Sequence, residues 1–264
     1  MGLTDGPHIR PRSLPELSEE RNRLGQPIGW AVPGWSKRRE PPRTPMTGRF
    51  CRLEPLDVQR HAADLWVANS RDREGRMRTY LPWGPFGGFD EYLAYMQTVA
   101  SKEDPLIHAI IDTDAGKAVG VASYLRINAG AGTIEVGGLA YSPSLQRRPA
   151  ATEAMYLMMR RAFDELGYRR YEWKCNALNA PSRAAAARLG FQFEGIFRQA
   201  DVVKGRNRDT AWFAIIDRDW PMLRAAFERW LDPSNFDATG RQRVSLSSLT
   251  RELRESGNSQ GFAE

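Results

Sequence analysis

The chain has 264 residues, of which 41% are hydrophobic and 27% are charged, and its net charge is +6. This length and composition are typical of a globular protein with one large domain or two small ones. No stretch approaches the about 20 apolar residues that a membrane-spanning helix needs, and the Met1–Pro7 segment lacks the apolar run of a signal peptide, so we expect a cytoplasmic protein without a membrane partner.

Residues 1–47 are rich in Pro, Arg and Gly and show no sustained periodicity, so we interpret them as an arm. Trp30 and Trp35 are unusual in such a segment and would lie against a surface, of the same domain or of a second subunit. A homodimer is therefore a candidate arrangement. Residues 232–264 are polar and Ser-rich, which predicts a loosely held tail. The folded domain is expected over residues 48–231.

The first half of this domain predicts a regular order of elements. Alternation of apolar and polar residues predicts a strand over residues 49–56, and Asp57 then opens a helical pattern. An aromatic, Gly-rich link over residues 80–89 leads into a second helix at residues 89–100. Three strands separated by hairpin-type turns follow, at residues 106–112, 118–127 and 133–141.

The second half contains the strongest helical pattern of the chain, which Gly167 ends. Its apolar positions follow helical spacing: Met155, Met158, Met159, Ala162, Phe163 and Leu166. Further elements are predicted at residues 170–177 (strand), 181–189 (helix), 191–197 and 210–216 (strands) and 221–230 (helix). Early hairpins and a later β-α-β crossover predict an α/β fold with a mixed, mostly antiparallel sheet and helices on both faces.

Glu135 is a carboxylate within an otherwise hydrophobic strand. Burial of an unpaired charge is costly, and desolvation raises a carboxyl pKa, which would suit a general base near neutral pH. A glutamate paired with an arginine across the sheet is the alternative. Gly137 and Gly138 in the same strand indicate a bulge or the close approach of a ligand.

The segment from Gln146 to Thr152 joins this strand to the Met-rich helix. Free N–H groups and the positive end of the dipole make such a helix start a potential anion site. Arg147 and Arg148 add charge that suits phosphates, and the small Ala150 and Ala151 side chains permit close approach. A plain capped helix with solvated arginines remains the alternative.

Ser182 lies where the strand over residues 170–177 runs into the next helix, with Pro181 suited to the first helical position. Its hydroxyl could cap the helix or donate a proton to a leaving group. Cys175 is interpreted as a small core residue, because no histidine lies nearby in sequence to activate it. The two cysteines and three histidines fit neither a disulfide framework nor a metal site.

Together these residues resemble the GNAT (Gcn5-related N-acetyltransferase) superfamily over about residues 48–220. The most specific stretch contains Asn179-Ala180-Pro181-Ser182 followed by Arg188-Leu189-Gly190-Phe191-Gln192-Phe193-Glu194-Gly195. This pattern is similar to that of the branch formed by the ribosomal-protein N-terminal acetyltransferases. Gly205-Arg206-Asn207-Arg208-Asp209 before a strand also resembles the ending of that branch.

The resemblance implies a splayed sheet of six to seven strands that binds acetyl-CoA between two of them. Glu135 matches the base that deprotonates the amine, and Ser182 matches the acid that protonates the departing thiolate. The cofactor-binding positions carried over are the backbone of Leu139 and Tyr141, the phosphate loop Gln146, Arg147, Arg148, Ala150 and Ala151, and Asn179. In this family the first two helices build the acceptor site, so the link at residues 80–89 would form a lid; simple surface packing is the alternative.

One position departs from the family pattern of Q/R-x-x-G-x-G/A in the phosphate loop. Pro149 replaces the first glycine and offers no N–H. Its fixed φ suits the first turn of a helix, so we interpret the loop as a variant with one donor fewer.

The resulting hypothesis is an N-acetyltransferase that moves an acetyl group from acetyl-CoA to a primary amine, of a small molecule or a protein N-terminus. No nucleic-acid partner is expected, because the chain lacks a basic stripe with interleaved aromatic residues. No metal is expected either, because the cysteines and histidines fit no metal site. The alternative is a non-catalytic CoA-binding or regulatory module, and a third reading gives the basic arm a role in binding a macromolecule.

Overall fold

The computed structural model describes residues 20–251. A small hairpin of β1 (Glu20–Arg21) and β2 (Pro27–Ile28) precedes one eight-stranded sheet. The strands of this sheet are β3 (Met46–Thr47), β4 (Cys51–Pro55), β5 (Leu106–Asp112), β6 (Lys117–Asn128), β7 (Thr133–Tyr141), β8 (Arg170–Asn176), β9 (Gln192–Val203) and β10 (Arg206–Ile216). Their spatial order is β3-β4-β5-β6-β7-β8-β10-β9.

The sheet is mixed, as predicted. The neighbours β7 and β8 are parallel and every other pair of neighbours is antiparallel. The strand count exceeds the six to seven expected, because Met46 and Thr47, assigned to the arm, add a short strand beside Leu53 and Arg52 of β4. Two residues are too few to produce a detectable alternation.

Helices cover both faces of the sheet, which confirms the predicted layers. They are α1 (Val58–Asn69), α2 (Phe89–Ala100), α3 (Pro149–Arg160), α4 (Ala180–Arg188) and α5 (Trp220–Leu231). Along β5, Ile107 and Ala109 belong to the core cluster under α1 and α2, whereas Leu106 and Ile110 belong to the larger cluster under α3 and α5. The period of two along a strand produces this division.

The predicted start of α1 after Asp57 and the predicted end of the Met-rich helix at Gly167 are both confirmed. A turn of π-helix just before Gly167 was not predicted. Asp57 caps α1 by accepting a hydrogen bond from the N–H of Arg60 at 3.1 Å. After α3 the chain forms a turn of π-helix over Arg161–Glu165. Gly167 then leaves the helix with a φ of +70°, a conformation that glycine adopts without strain.

The arm from Trp35 onward and the described part of the tail pack on the domain, whereas residues 20–34 are almost wholly exposed. The indole N–H of Trp35 donates to the carbonyl of Gly130 at 3.0 Å, while Trp30 is about half exposed. In the tail, Leu246 and Leu249 are fully buried members of the larger core cluster. The expectation of a loosely held tail was therefore wrong as far as residue 250, because two leucines one helical turn apart reach the core from a polar sequence.

Candidate active site

The strands β7 and β8 stop pairing midway along their length. They pair from Thr133 with Arg170 to Val136 with Trp173, and no further pair forms within the described chain although β7 runs to Tyr141 and β8 to Asn176. We call this opening the β7–β8 gap. Parallel neighbours that separate expose unpaired backbone groups, which a ligand can bind.

A bulge in β7 lies where the gap begins. Ser123 of β6 pairs with Gly137, and Val121 pairs with Ala140. Between these two pairs β7 contains one residue more than β6. Gly138 takes up the distortion with a φ of +59°. The predicted meaning of this glycine, a bulge, is confirmed.

Glu135 lies at the closed end of the gap and is only 2% exposed. Its two carboxylate oxygens each accept a hydrogen bond at 2.8 Å from Nη1 of Arg126, and Nζ of Lys174 lies 2.9 Å from Oε2. Burial raises the pKa of Glu135, although the charges of Lys174 and Arg126 act to lower it. The cross-sheet arginine foreseen as an alternative for this glutamate is therefore present.

Lys174 is a site residue that the sequence analysis missed. Its ammonium group also lies 2.7 Å from Glu172 and 3.7 Å from the ring centroid of Trp212. Arg170, Glu172 and Lys174 alternate along β8, so period-2 reading of that strand places three charged residues on the face that carries Glu135. That alternation could have identified Lys174 as a site residue from the sequence.

The phosphate-loop positions gather at the start of α3, immediately beyond the end of β7. Arg148 is the N-cap residue and Pro149 occupies the first helical turn, as its fixed φ predicted. The amide of Gln146 donates to the carbonyl of Tyr141 at 2.8 Å, which ties the loop back to β7. Arg147 and Arg148 are exposed and pair with no carboxylate among residues 20–251.

Glu153 anchors this helix start and was not foreseen. Its buried carboxylate accepts hydrogen bonds from the N–H groups of Arg49, Phe50 and Cys51 at 2.6 to 2.8 Å. A carboxylate that accepts several backbone hydrogen bonds is firmly held. The start of α3 is therefore tied to the residues that lead into β4.

Ser182 lies at the start of α4, beyond the end of β8, and it does not cap that helix. Asn179 is the cap, since its Oδ1 accepts from the N–H of Ser182 at 3.1 Å. The hydroxyl oxygen of Ser182 accepts from the indole N–H of Trp173 at 3.0 Å. The capping alternative for Ser182 is wrong, and its hydroxyl lies within hydrogen-bonding reach of the buried thiol of Cys175.

A cavity of about 120 Å³ adjoins the gap on the face covered by α1 and α2. Gly138 and Ala140 of β7 contribute to its floor, and Trp83, Tyr92 and Tyr95 to its aromatic wall. Leu125, the partner of Glu135 on β6, also lines it. Glu135 therefore stands beside the cavity, on the same face of the sheet.

The link over residues 80–89 reaches across this region. The hydroxyl of Tyr80 donates to the carbonyl of Leu178, in the loop before α4, at 3.2 Å. Nearby, Nζ of Lys204, at the tip of the β9–β10 hairpin, donates to the carbonyl of Arg78 at 2.9 Å. Tyr80 thus ties the start of the link to the loop that follows β8.

Comparison with known proteins identifies this architecture. The family model of the acetyltransferase (GNAT) domain matches residues 51–192. The chain belongs to the GNAT family of acetyltransferases. The fold agrees with the solved structure of a GCN5-related N-acetyltransferase from Brucella melitensis, with 45% sequence identity and a TM-score of 0.82, over 83% of this chain and 100% of the other.

Two further acetyltransferase structures resemble the chain. A probable acetyltransferase of the family from Chromobacterium violaceum is 39% identical, with a TM-score of 0.69 over 74% of this chain and 98% of its own. The microcin C7 self-immunity acetyltransferase MccE, solved with acetyl-CoA and AMP, is 20% identical, with a TM-score of 0.57 over 64% and 93%. Comparison with curated proteins gives no significant match.

Within this GNAT chain, none of the helices of residues 20–251 has the length and apolar character needed to cross a membrane. The same residues contain no group of three His, Cys, Asp or Glu side chains placed to hold a metal ion.

Proposed function

We propose that the protein transfers an acetyl group from acetyl-CoA to a primary amine by direct attack, with Glu135 as the base and Ser182 as the acid. The observation that carries this proposal is the β7–β8 gap, with the phosphate-loop residues at one rim and Ser182 at the other. Family membership supplies the reaction class, and the branch related to ribosomal-protein acetyltransferases remains our prediction.

The rims of the gap suit the two ends of an acyl-CoA. At the start of α3, the dipole and the unpaired guanidinium groups of Arg147 and Arg148 favour the negative charge of phosphates. Leu139 and Tyr141 lie in the part of β7 that has left β8, so their backbone groups can hydrogen bond to the amides of a pantetheine chain. Asn179 would contact the same chain from the opposite rim.

In the proposed reaction, Glu135 accepts a proton from the amine, directly or through water. The nitrogen lone pair forms the new bond to the acetyl carbonyl carbon, the C–S bond breaks, and the sulfur receives the hydroxyl proton of Ser182. Acetyl-CoA supplies the thioester. Burial raises the pKa of Glu135 and so strengthens it as a base. The hydrogen bond from Trp173 fixes the position of the Ser182 oxygen.

Calorimetric binding of acetyl-CoA and CoA, followed by a thiol-release assay with a panel of primary amines, tests the proposal. We expect saturable binding of both ligands and amine-dependent release of free thiol. Binding without release across the panel would favour the alternative, a CoA-binding or regulatory module. Absence of binding at millimolar ligand would reject both readings, since Pro149 would then have removed the phosphate site.

A further inference from the structure

Arg78 is a buried cation without an anionic partner. Arg78 is the last residue of the short helix Arg76–Arg78. It is only 7% exposed, and it lines the cavity described above. Among residues 20–251 no carboxylate pairs with its guanidinium group, which lies 5.3 Å from the ring centroid of Phe86. Burial lowers the pKa of Arg78, although Tyr92, Tyr95 and Asp72 act to raise it.

Asp72, the carboxylate whose charge acts on Arg78, makes its hydrogen bonds elsewhere. Asp72 accepts hydrogen bonds from the backbone N–H groups of Arg76 at 3.2 Å and Met77 at 2.8 Å, so it shapes the turn that carries Arg78. A buried charge without a partner is costly, and native proteins retain one chiefly where it binds something. The binding partner of Arg78 is therefore to be sought in the cavity.

A second polar group in the same cavity lacks a partner. The amide oxygen of Asn69, at the end of α1, is buried and accepts no hydrogen bond from the described residues. Ser123 is a further polar side chain of the lining, and Trp83, Tyr92 and Tyr95 form its aromatic part. The cavity thus offers one cation and a few neutral polar groups within a mostly apolar, aromatic enclosure.

We propose that the acceptor amine carries a single carboxylate on a compact apolar or aromatic body, and that Arg78 binds this carboxylate. The inference rests on the proposed transferase function, whose acceptor site it assigns to the cavity. The planar guanidinium group matches a carboxylate with two parallel hydrogen bonds. A phosphate monoester would bring a second negative charge, and Arg78 is the sole charged group among the cavity-lining residues 20–251.

The location fits delivery of the amine to the thioester. Gly138 lies in the cavity floor where β7 leaves β8, and the ring of Trp83 lies 3.6 Å from the position that a Cβ at Gly138 would take. An acceptor held by Arg78 under Trp83 therefore extends toward the β7–β8 gap. The unpaired oxygen of Asn69 is available to a donor N–H of the same molecule.

Matched acceptors test the proposal by steady-state kinetics. For wild-type protein, kcat/KM for 4-(aminomethyl)benzoate is expected to exceed that for the neutral isostere 4-(aminomethyl)benzamide by about tenfold or more. The substitution Arg78→Met should remove this preference, and Arg78→Lys should restore part of it. Arg76→Met, which removes an exposed arginine from the same short helix, should leave the preference unchanged. A wild-type enzyme that prefers the amide overturns the proposal.

A binding measurement separates this inference from the transferase proposal. Benzoate, phenylacetate and 3-phenylpropanoate, none of which is an amine, are titrated calorimetrically into protein saturated with CoA, beside their amides. At least one carboxylate should bind about tenfold more tightly than its amide, and Arg78→Met should abolish the difference. If this holds while no amine is acetylated, the carboxylate site stands and the transferase function fails.

The converse outcome is equally decisive. If amines are acetylated but no carboxylate probe is preferred over its amide, the inference fails and the transferase function stands. Thermal melting checks the variant itself, because removal of an unpaired buried charge should leave the melting temperature of Arg78→Met equal to or above that of the wild type. A marked fall in melting temperature would show that Arg78 supports the fold instead of a ligand.

Discussion

The ammonium group of Lys174 lies 2.9 Å from the carboxylate of Glu135, and Lys174 is the first residue of β8 beyond its last pair with β7. The ion pair therefore spans the point at which the two strands separate. Arg126 of β6 approaches the same carboxylate from the other side. These two contacts hold Glu135 at the closed end of the gap.

Substitution of Glu135 by Gln should lower kcat by about 100-fold or more while the affinity for CoA stays within about twofold, since a general base acts on the amine and not on the cofactor. Burial raises the pKa of Glu135, so wild-type kcat/KM should rise with pH until this carboxyl is ionised. That acid limb should vanish in Glu135→Gln.

Glu172→Gln, which removes the other carboxylate on Lys174, is the control. It should lower kcat by less than about tenfold and keep the acid limb. Normal turnover in Glu135→Gln would exclude the base assignment.

Substitutions of Ser182 and of Asn179 should separate an effect on turnover from an effect on stability. Ser182→Ala is expected to lower kcat by about tenfold or more. Its melting temperature should fall only through loss of the hydrogen bond from Trp173, because Asn179 and not Ser182 caps α4. Asn179→Ala should reduce the free energy of unfolding by about 1 kcal/mol through loss of that cap. Thiol-release kinetics and thermal melts of both variants provide the measurement. A destabilised Ser182→Ala with full turnover would assign Ser182 a structural role through Trp173.

The double variant Arg147→Gln/Arg148→Gln should weaken CoA binding by about tenfold, since both exposed guanidinium groups are available to phosphates. Its affinity should also depend less on ionic strength than that of the wild type. The KM for S-acetyl-N-acetylcysteamine, a thioester without a nucleotide, should be the same in both proteins. Equal CoA affinities would mean that the arginines are merely solvated.

His108 should make the fold sensitive to acid. It is fully buried with its ring edge against Tyr124, and burial together with the charge of Arg161 lowers its pKa from 6.5 to about 4. The folded state therefore disfavours the charged imidazole, so its contribution is complete above pH 6.5 and is lost as the pH falls toward 4.

Denaturant titrations at neutral pH and at pH 4 measure this contribution. The loss of unfolding free energy between the two should be smaller in His108→Leu than in the wild type by about 3 kcal/mol. Identical losses in the two proteins would show that His108 is not the group responsible.

The sequence predicted most of the strands and helices because their apolar positions follow periods of two and 3.6. It could not predict the surroundings of Glu135, since Arg126 approaches it from a register irregularity near the end of β6 with a φ of +48°. The sequence also left open whether Ser182 caps α4, because Asn179 and Ser182 are both suitable capping residues. Only the backbone geometry distinguishes them.

The cavity lined by Arg78 was the least visible feature. Arg78 lies in a turn-rich segment with several other arginines, and nothing in its spacing distinguishes a buried guanidinium group from a solvated one. Burial of Arg78 depends on the aromatic link that follows it and on Lys204, more than 100 residues later, which donates to the Arg78 carbonyl. Such contacts arise from tertiary structure alone.

The register of β8 has a practical consequence for truncated forms of the protein. From Lys174 to Asn176 this strand pairs only with β10, which begins at Arg206, whereas the family match ends at residue 192. A fragment cut at that point would leave the end of β8 as a free edge on both sides, together with the apolar surface that α5 and Leu246 cover. We expect such a fragment to aggregate, whereas expression through residue 251 retains every described partner of that edge.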